Sequence, residues 1–217
     1  MPRFSFSTVV VFDWDGTIFD TDFLIDLAIE TVLARHDPEE LQRLMPVFYT
    51  SHRHTSPLKS LRLQPHGREA IIKEIAAQLH ALERRACAFE GGRELVQHLK
   101  ELGVPLAILT RRDRVSLCAQ LKRAGLHDVF DVLLCRGEVA SKPDPAGLLL
   151  IRRTLAVAHV VMVGNSMDDL LCAQRSGAEF VAVNLCKRVR EPQIDEQSSC
   201  VLSDYDAVRR AVLERLH

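Results

Sequence analysis

Short apolar runs alternate with longer amphipathic stretches along most of this chain. "TVVVFD" at 8–13, "VPLAILT" at 104–110, "DVLLC" at 131–135, "HVVMVG" at 159–164 and "FVAVN" at 180–184 are each of strand length, and most are nearly continuous in apolarity. That pattern marks strands buried on both faces, as in a parallel sheet. Helical periodicity fills the intervals. "GGRELVQHLKELG" sets Leu95, Val96, Leu99 and Leu102 on one stripe and stops at Gly103. "RVSLCAQLKRAGL" repeats the design and stops near Gly125, and "DPAGLLLIRRTLAV" and "SMDDLLCAQRSGA" each precede a strand-like run. The C-terminal "SDYDAVRRAVLERLH" offers Ser203 or Asp204 as N-cap and Val208, Val212 and Leu216 as an inner stripe. Strands alternating with helices predict an α/β fold, a Rossmann-like doubly wound parallel sheet.

One region breaks the alternation. From Phe23 to about Ala88 there is no strand signal. "FLIDLAIETVLARH" and "GREAIIKEIAAQLHALERRACAF" read as amphipathic helices, separated by "PVFYTSHRHTSPLKSLRLQPHG". The expectation is an α/β core at 1–20 and 89–217 with an inserted all-helical cap domain at 21–88. Ligands of open α/β sheets bind beyond the carboxyl ends of the strands, so an insert leaving from that end forms a lid over the site.

Composition narrows the function classes. Of the 217 residues, 47% are apolar and 26% charged, as in an ordinary globular protein, and the formal net charge is −1. No basic footprint for nucleic acid or an anionic membrane is present; the densest basic cluster, "CKRVREP" at 186–192, reads as a solvated loop. The N-terminus lacks the basic start and long apolar segment of a signal peptide, and no run approaches membrane-spanning length. The six cysteines form no CxxC pair, which argues against a zinc site or a disulfide framework. The expectation is a cytoplasmic protein without nucleic-acid or membrane partners.

The apolar run at Val9–Phe12 ends on two carboxylates, Asp13 and Asp15, two residues apart. Like charges so close repel, and a carboxylate is costly to bury unpaired. A divalent cation and a phosphoryl group would make the pair tolerable. Parallel strands bring three further segments to the same sheet edge: Thr110 in "ILTRRD", Lys142 in "VASKPDP" and "VGNSMDDL" at 163–170. Phosphoryl transfer needs a nucleophile, a proton shuttle, charge neutralisation and donors to the phosphoryl oxygens. Asp13 suits the nucleophile and Asp15 the acid/base. Gly16 lets the chain turn and exposes backbone donors, with Thr17 beside it. Thr110 offers a hydroxyl and Lys142 a positive charge. Asn165, Asp168 and Asp169 join Asp13 and Asp15 as oxygen ligands for a hard cation such as Mg²⁺. Asp168 and Asp169, three and four residues after Asn165 at a helix start, are expected on roughly its face.

These residues in this order resemble the haloacid dehalogenase superfamily. "DWDGT" is similar to its first motif, DxDG[TV]; Thr110 and Lys142 match its second and third; "VGNSMDD" approximates its fourth, GDSxxD. "FEGGRELVQHLKELGVPLAILT", "GLHDVFDVLLCRGEVASKPDP" and "VVMVGNSMDDLLCAQRSGAEFVAV" look like its phosphoglycolate phosphatase-like branch. The insert lies where that superfamily puts its helical C1-type cap. The resemblance implies a Mg²⁺-dependent phosphatase acting on a small phosphorylated metabolite, with Asp13 attacking and Asp15 binding the metal through its backbone carbonyl. Dehalogenases of the superfamily usually lack the second aspartate of the first motif, so Asp15 favours phosphate over halide chemistry.

Asn165 departs from that pattern, which has a metal-binding aspartate there. An amide oxygen still ligates Mg²⁺ but brings no charge, so the expectation is weakened metal affinity with activity retained. The alternatives are a sugar-phosphate mutase of the same superfamily and a catalytically degenerate protein that binds phosphorylated ligands. In the insert, His52, Arg53, His54, Lys59 and Arg62 are candidate contacts to an anionic substrate, against the plainer reading of a solvated loop. Arg111, Arg112 and Asp113, after Thr110, are candidates at the entrance, against an equal reading as surface residues. No GxGxxG, P-loop or Ser-His-Asp ordering supports a rival enzyme class.

Overall fold

Thr8–Phe12 forms a strand buried along its whole length because both faces are covered. Val10 and Phe12 enter one apolar cluster and Val9 and Val11 another. The structure, a computed structural model, describes residues 6–21, 24–50, 61–62, 65–84, 86–185 and 201–216. Six parallel strands form one sheet in the order β3-β2-β1-β4-β5-β6: β1 (Thr8–Phe12), β2 (Leu106–Leu109), β3 (Val132–Leu134), β4 (His159–Gly164), β5 (Glu179–Val183) and β6 (Val201–Leu202). Among the described residues the helices are α1 (Leu24–His36), α2 (Pro38–Thr50), α3 (Pro65–Glu83), α4 (Gly92–Glu101), α5 (Arg114–Ala124), α6 (Ala146–Leu155), α7 (Met167–Ser176) and α8 (Tyr205–Leu213).

Helices cover both faces of the sheet, as the doubly wound reading requires. Leu95, Val96 and Leu99 of α4, Leu117 and Leu121 of α5, and Val208 and Val212 of α8 pack with Val10 and Phe12. Leu148 and Ile151 of α6, with Cys172 and Ala173 of α7, pack with Val9 and Val11. Strand order reverses between β1 and β4, and that reversal opens a crevice beyond their carboxyl ends. Asp13 N donates to Val163 O at 2.9 Å there, so the two strand ends are locked together where the acidic motif begins.

The helices of the insert bury a cluster of their own: Ala28, Ile29, Val32 and Leu33 of α1, Leu44 of α2, Leu61, and Ile75 of α3. The two segments joining insert to sheet run side by side. Phe19 bridges Ala88, Asp20 N donates to Cys87 O at 3.2 Å, and Phe89 N donates to Ile18 O at 3.0 Å.

Three details differ from the sequence expectation. Helix α2 has no counterpart among the expected helices, yet its start is encoded: Asp37 Oδ1 accepts from Glu40 N at 3.0 Å, and Pro38 occupies the first helical position. Leu102 lies beyond the last turn of α4 as its C-cap and is exposed, off the buried stripe. The sixth strand is only two residues long, too short for a periodic signal. At the tail, Asp204 rather than Ser203 is the N-cap, accepting from Ala207 N at 2.8 Å.

Candidate active site

The carboxyl ends of β1, β2 and β4 and the loop after β3 meet over the crevice. Asp13 follows β1 directly and is buried. Lys142 Nζ donates to its Oδ1 at 2.5 Å and lies 2.6 Å from Asp169 Oδ1, with the lysine and both carboxylates almost entirely enclosed. The contact to Asp169 is an ion pair rather than a directed hydrogen bond. Burial pushes Asp13 up to about 7 against the pull of the Lys142 ammonium, and the Asp169 charge adds to the rise. The same two carboxylates outweigh desolvation at Lys142 and hold its ammonium well above the usual lysine range.

Asp169 reaches this position because it also caps its own helix. Asp169 N donates to Ser166 Oγ at 3.3 Å, and Asp169 Oδ2 accepts from Ser166 N at 3.1 Å and Ser166 Oγ at 2.7 Å. This reciprocal capping box fixes the start of α7. Gly164 makes room for it: a Cβ there would meet the Asp169 side chain at 2.7 Å.

The first-motif turn holds Asp15 outside the Asp13–Lys142–Asp169 group. Ile18 N and Phe19 N both donate to Trp14 O, at 2.9 and 3.0 Å, and Gly16 turns with φ 74, a region where glycine carries no steric cost. Trp14 is anchored beneath by stacking on Phe19 at 4.7 Å and by donating to Gln120 Oε1 at 2.5 Å. The Asp15 carboxylate accepts from Thr21 Oγ1 at 2.5 Å and from Arg112. The Thr17 side chain is fully buried, and its hydroxyl lies 3.4 Å from Asn165 Oδ1. Thr110 ends β2: its amide donates to Leu134 O at 3.0 Å, and its Oγ1 accepts from Arg112 N at 3.1 Å.

A family profile described as haloacid dehalogenase-like hydrolase matches residues 10–183. The chain belongs to this family. A pyrophosphatase PpaX of Halalkalibacterium halodurans is 28% identical over 183 residues, covering 82% of this chain and 84% of its own length. A phosphoglycolate phosphatase of Neisseria meningitidis is 28% identical over 188 residues, covering 80% and 79%. Among solved structures, a HAD family hydrolase from Deinococcus radiodurans with bound phosphate and sodium matches with a TM-score of 0.77 at 19% identity, over 95% of each chain. This haloacid dehalogenase-like hydrolase is thus an enzyme of the class that its motifs imply. Within the described residues no helix is long and apolar enough to cross a membrane.

Two of the acidic residues expected as ligands each face a side-chain cation. Asp168 Oδ2 accepts from Arg111 Nη1 at 2.7 Å, half-exposed at the mouth, while Asp169 faces Lys142. Neighbouring positions on a helix point about 100° apart, and the two carboxylates accordingly meet different cations. Among the described residues no three His, Cys, Asp or Glu side chains gather around one cation position. Hard oxygens of the kind that suit Mg²⁺ are offered by the Asp13 carboxylate, the Asp15 carbonyl and the Asn165 amide. Such a small set of hard oxygens fits an ion that keeps several of its own waters.

Arg53, with His52, His54 and Lys59, falls outside the described residues. The sequence places Arg112, with Arg111 and Asp113, only at the entrance or on the surface, and does not foretell its contact with Asp15. Its signal was only its place two residues after Thr110, where an arginine reads equally as surface. The two buried thiols are poor nucleophiles: burial pushes both Cys135 and Cys172 up to about 11.

Proposed function

We propose that this protein is a Mg²⁺-dependent phosphomonoester hydrolase for a small phosphorylated metabolite, with a core at 1–20 and 89–217 and a helical cap at 21–88. Asp13 attacks phosphorus, the bond to the leaving oxygen breaks, and an aspartyl-phosphate forms. Asp15 gives a proton to the leaving oxygen, then takes one from the water that hydrolyses the intermediate. The Thr110 oxygen already accepts the Arg112 amide hydrogen, so its own hydrogen is left for a phosphoryl oxygen. Lys142 supplies fixed positive charge beside Asp13. Gly16 lets the chain turn after Asp15, its own amide donating to Phe19 O at 2.8 Å. Thr17 serves through Asn165, and Arg111 guards the mouth through Asp168. Asp13, the Asp15 carbonyl and Asn165 would hold Mg²⁺, which when bound neutralises carboxylate and phosphoryl charge. The cap excludes water once substrate is seated.

The observation that carries this reading is the Lys142 ammonium enclosed between Asp13 and Asp169 at the β1/β4 reversal, beside Thr110. Enclosing three charges is expensive unless excellent geometry offsets it. A carboxylate so perturbed by burial beside a charged partner, in a crevice, marks a functional site.

Phosphate release from a panel of phosphorylated compounds, with and without Mg²⁺, tests it. The relatives' names put phosphoglycolate and pyrophosphate at the head of the panel. Mg²⁺-dependent release, abolished in a folded Asp13→Asn variant, is expected. A phosphorylated isomer with little free phosphate would point to a mutase. No turnover by folded protein, with Mn²⁺ tried as well, would favour the phospho-ligand-binding reading that Asn165 keeps open.

A further inference from the structure

Arg112 is the most heavily engaged side chain at this sheet edge, and no motif accounts for it. Its guanidinium is almost enclosed. Nε lies 3.2 Å from both oxygens of Asp15 and Nη2 lies 2.5 Å from Oδ1. The remaining nitrogen, Nη1, donates to Glu83 Oε1 at 2.8 Å. Glu83 is the last residue of α3, in the insert. One planar group therefore ties the carboxylate after β1 to the end of an insert helix, from the loop after β2. A guanidinium that bonds a carboxylate through two nitrogens fixes its plane as well as its distance; a lysine ammonium would fix distance alone. Thr21 Oγ1 holds the same Asp15 oxygen from the other side.

We propose that Arg112 is the positioning residue for Asp15: it sets the orientation from which Asp15 hands its proton to the leaving oxygen, and Glu83 braces it from the insert. The inference rests on the hydrolase reading above. The plainer role, an ion pair sealing the seam between insert and core, predicts lost stability without any preference among substrates.

Two substrates of nearly equal shape separate these roles. Nitrophenolate departs from 4-nitrophenyl phosphate with little help from an acid, whereas the phenolate of phenyl phosphate needs the proton. kcat/KM reports the step in which that bond breaks. It is measured on both substrates for the wild type, Arg112→Lys and Glu83→Gln. Arg112→Lys keeps the charge and loses the fork. Expected is a fall of about 10- to 100-fold on phenyl phosphate and under about 3-fold on 4-nitrophenyl phosphate. Glu83→Gln should show the same selectivity at smaller size. The ratio between substrates does not depend on how much protein is folded, so a partly unfolded variant still gives an answer.

An equal fall on both substrates would overturn the assignment in favour of a structural pair or a substrate anchor. An unchanged or faster reaction on phenyl phosphate would overturn it as well. A Glu83→Gln variant without selectivity would remove the brace from α3. A folded wild type inactive on both aryl esters and on the whole phosphorylated panel would sink the hydrolase reading itself, a failure visible before any variant is made.

Discussion

Lys142 Nζ sits 2.5 Å from Asp13 Oδ1 with both side chains enclosed, and Asp169 shares the same ammonium. Removing the lysine leaves two buried carboxylates facing each other. Breaking a buried pair from one side typically costs about 3–5 kcal/mol, and Lys142→Ala is expected to lose that much. The pH dependence has a definite sign. Burial already raises Asp13 to about 7. A carboxyl raised in the folded state binds its proton more tightly there than when unfolded, so its contribution to stability falls as pH rises through the folded value. Without the ammonium that fall steepens. The deficit of Lys142→Ala against wild type should therefore be larger near about pH 8 than near about pH 5. Urea denaturation at both pH values checks this, and a deficit independent of pH would count against it.

Tyr205 ties the tail helix to the catalytic turn. Its hydroxyl donates to the carbonyl of Thr17, and two glycines admit its ring: a Cβ on Gly91 would meet Tyr205 Cβ at 2.8 Å, and one on Gly92 would meet its Oη at 3.0 Å. Tyr205→Phe keeps the packing and leaves the Thr17 carbonyl without this donor. The expected loss is about 1–3 kcal/mol, read as a lower urea midpoint with an unchanged slope. An unchanged midpoint would mean that the bond contributes nothing net.

Much of this architecture was legible in the sequence because its signals are local. Continuous apolar runs gave away strands covered on both faces, and Asp13, Thr110 and Lys142 could be located because each sits at or just beyond a strand end. What escaped depended on geometry across the fold. Arg112 matters through Asp15 and Glu83, 97 and 29 residues away, and no spacing rule relates those positions. Asp168 and Asp169 look equivalent as letters, yet one helical step sends them to Arg111 and to Lys142. Helix α2 is a further element beyond those expected, and a cap and a proline mark its start.

Glu40 holds the insert together near its middle. Its carboxylate accepts from Arg43 Nε and Nη2, both at 2.6 Å, and from Arg62 N at 2.5 Å. The hydrogen bonds from Arg43 are the main reason its carboxyl lies below the usual glutamate range, with the Arg62 amide assisting against desolvation. A depressed carboxyl contributes stability above its unfolded value, and that contribution is lost as pH falls through the folded value. Glu40→Gln should thus lower the melting temperature at neutral pH and converge on wild type in acid, below the ordinary glutamate range. Parallel melting curves that never converge would show that the side chain acts through packing alone.

Asn165 sets the strength of the proposed Mg²⁺ site. It stands at the end of β4 with its amide oxygen 3.4 Å from Thr17 Oγ1, and it adds an oxygen without a charge. Cation affinity in oxygen sites rises with the number of charged ligands. Asn165→Asp is therefore expected to bind Mg²⁺ roughly 10-fold or more tightly by titration calorimetry, a gain of about 1.4 kcal/mol or more. The same change adds a third carboxylate beside Asp13 and Asp169. Without metal the variant should melt below wild type, because like charges in one site disfavour each other. Saturating Mg²⁺ should then raise its melting temperature by more than it raises that of wild type, since a ligand bound only by the folded state stabilises in proportion to its affinity. Equal or weaker binding by Asn165→Asp would mean that this position is not a ligand and that Asn165 serves to hold the turn.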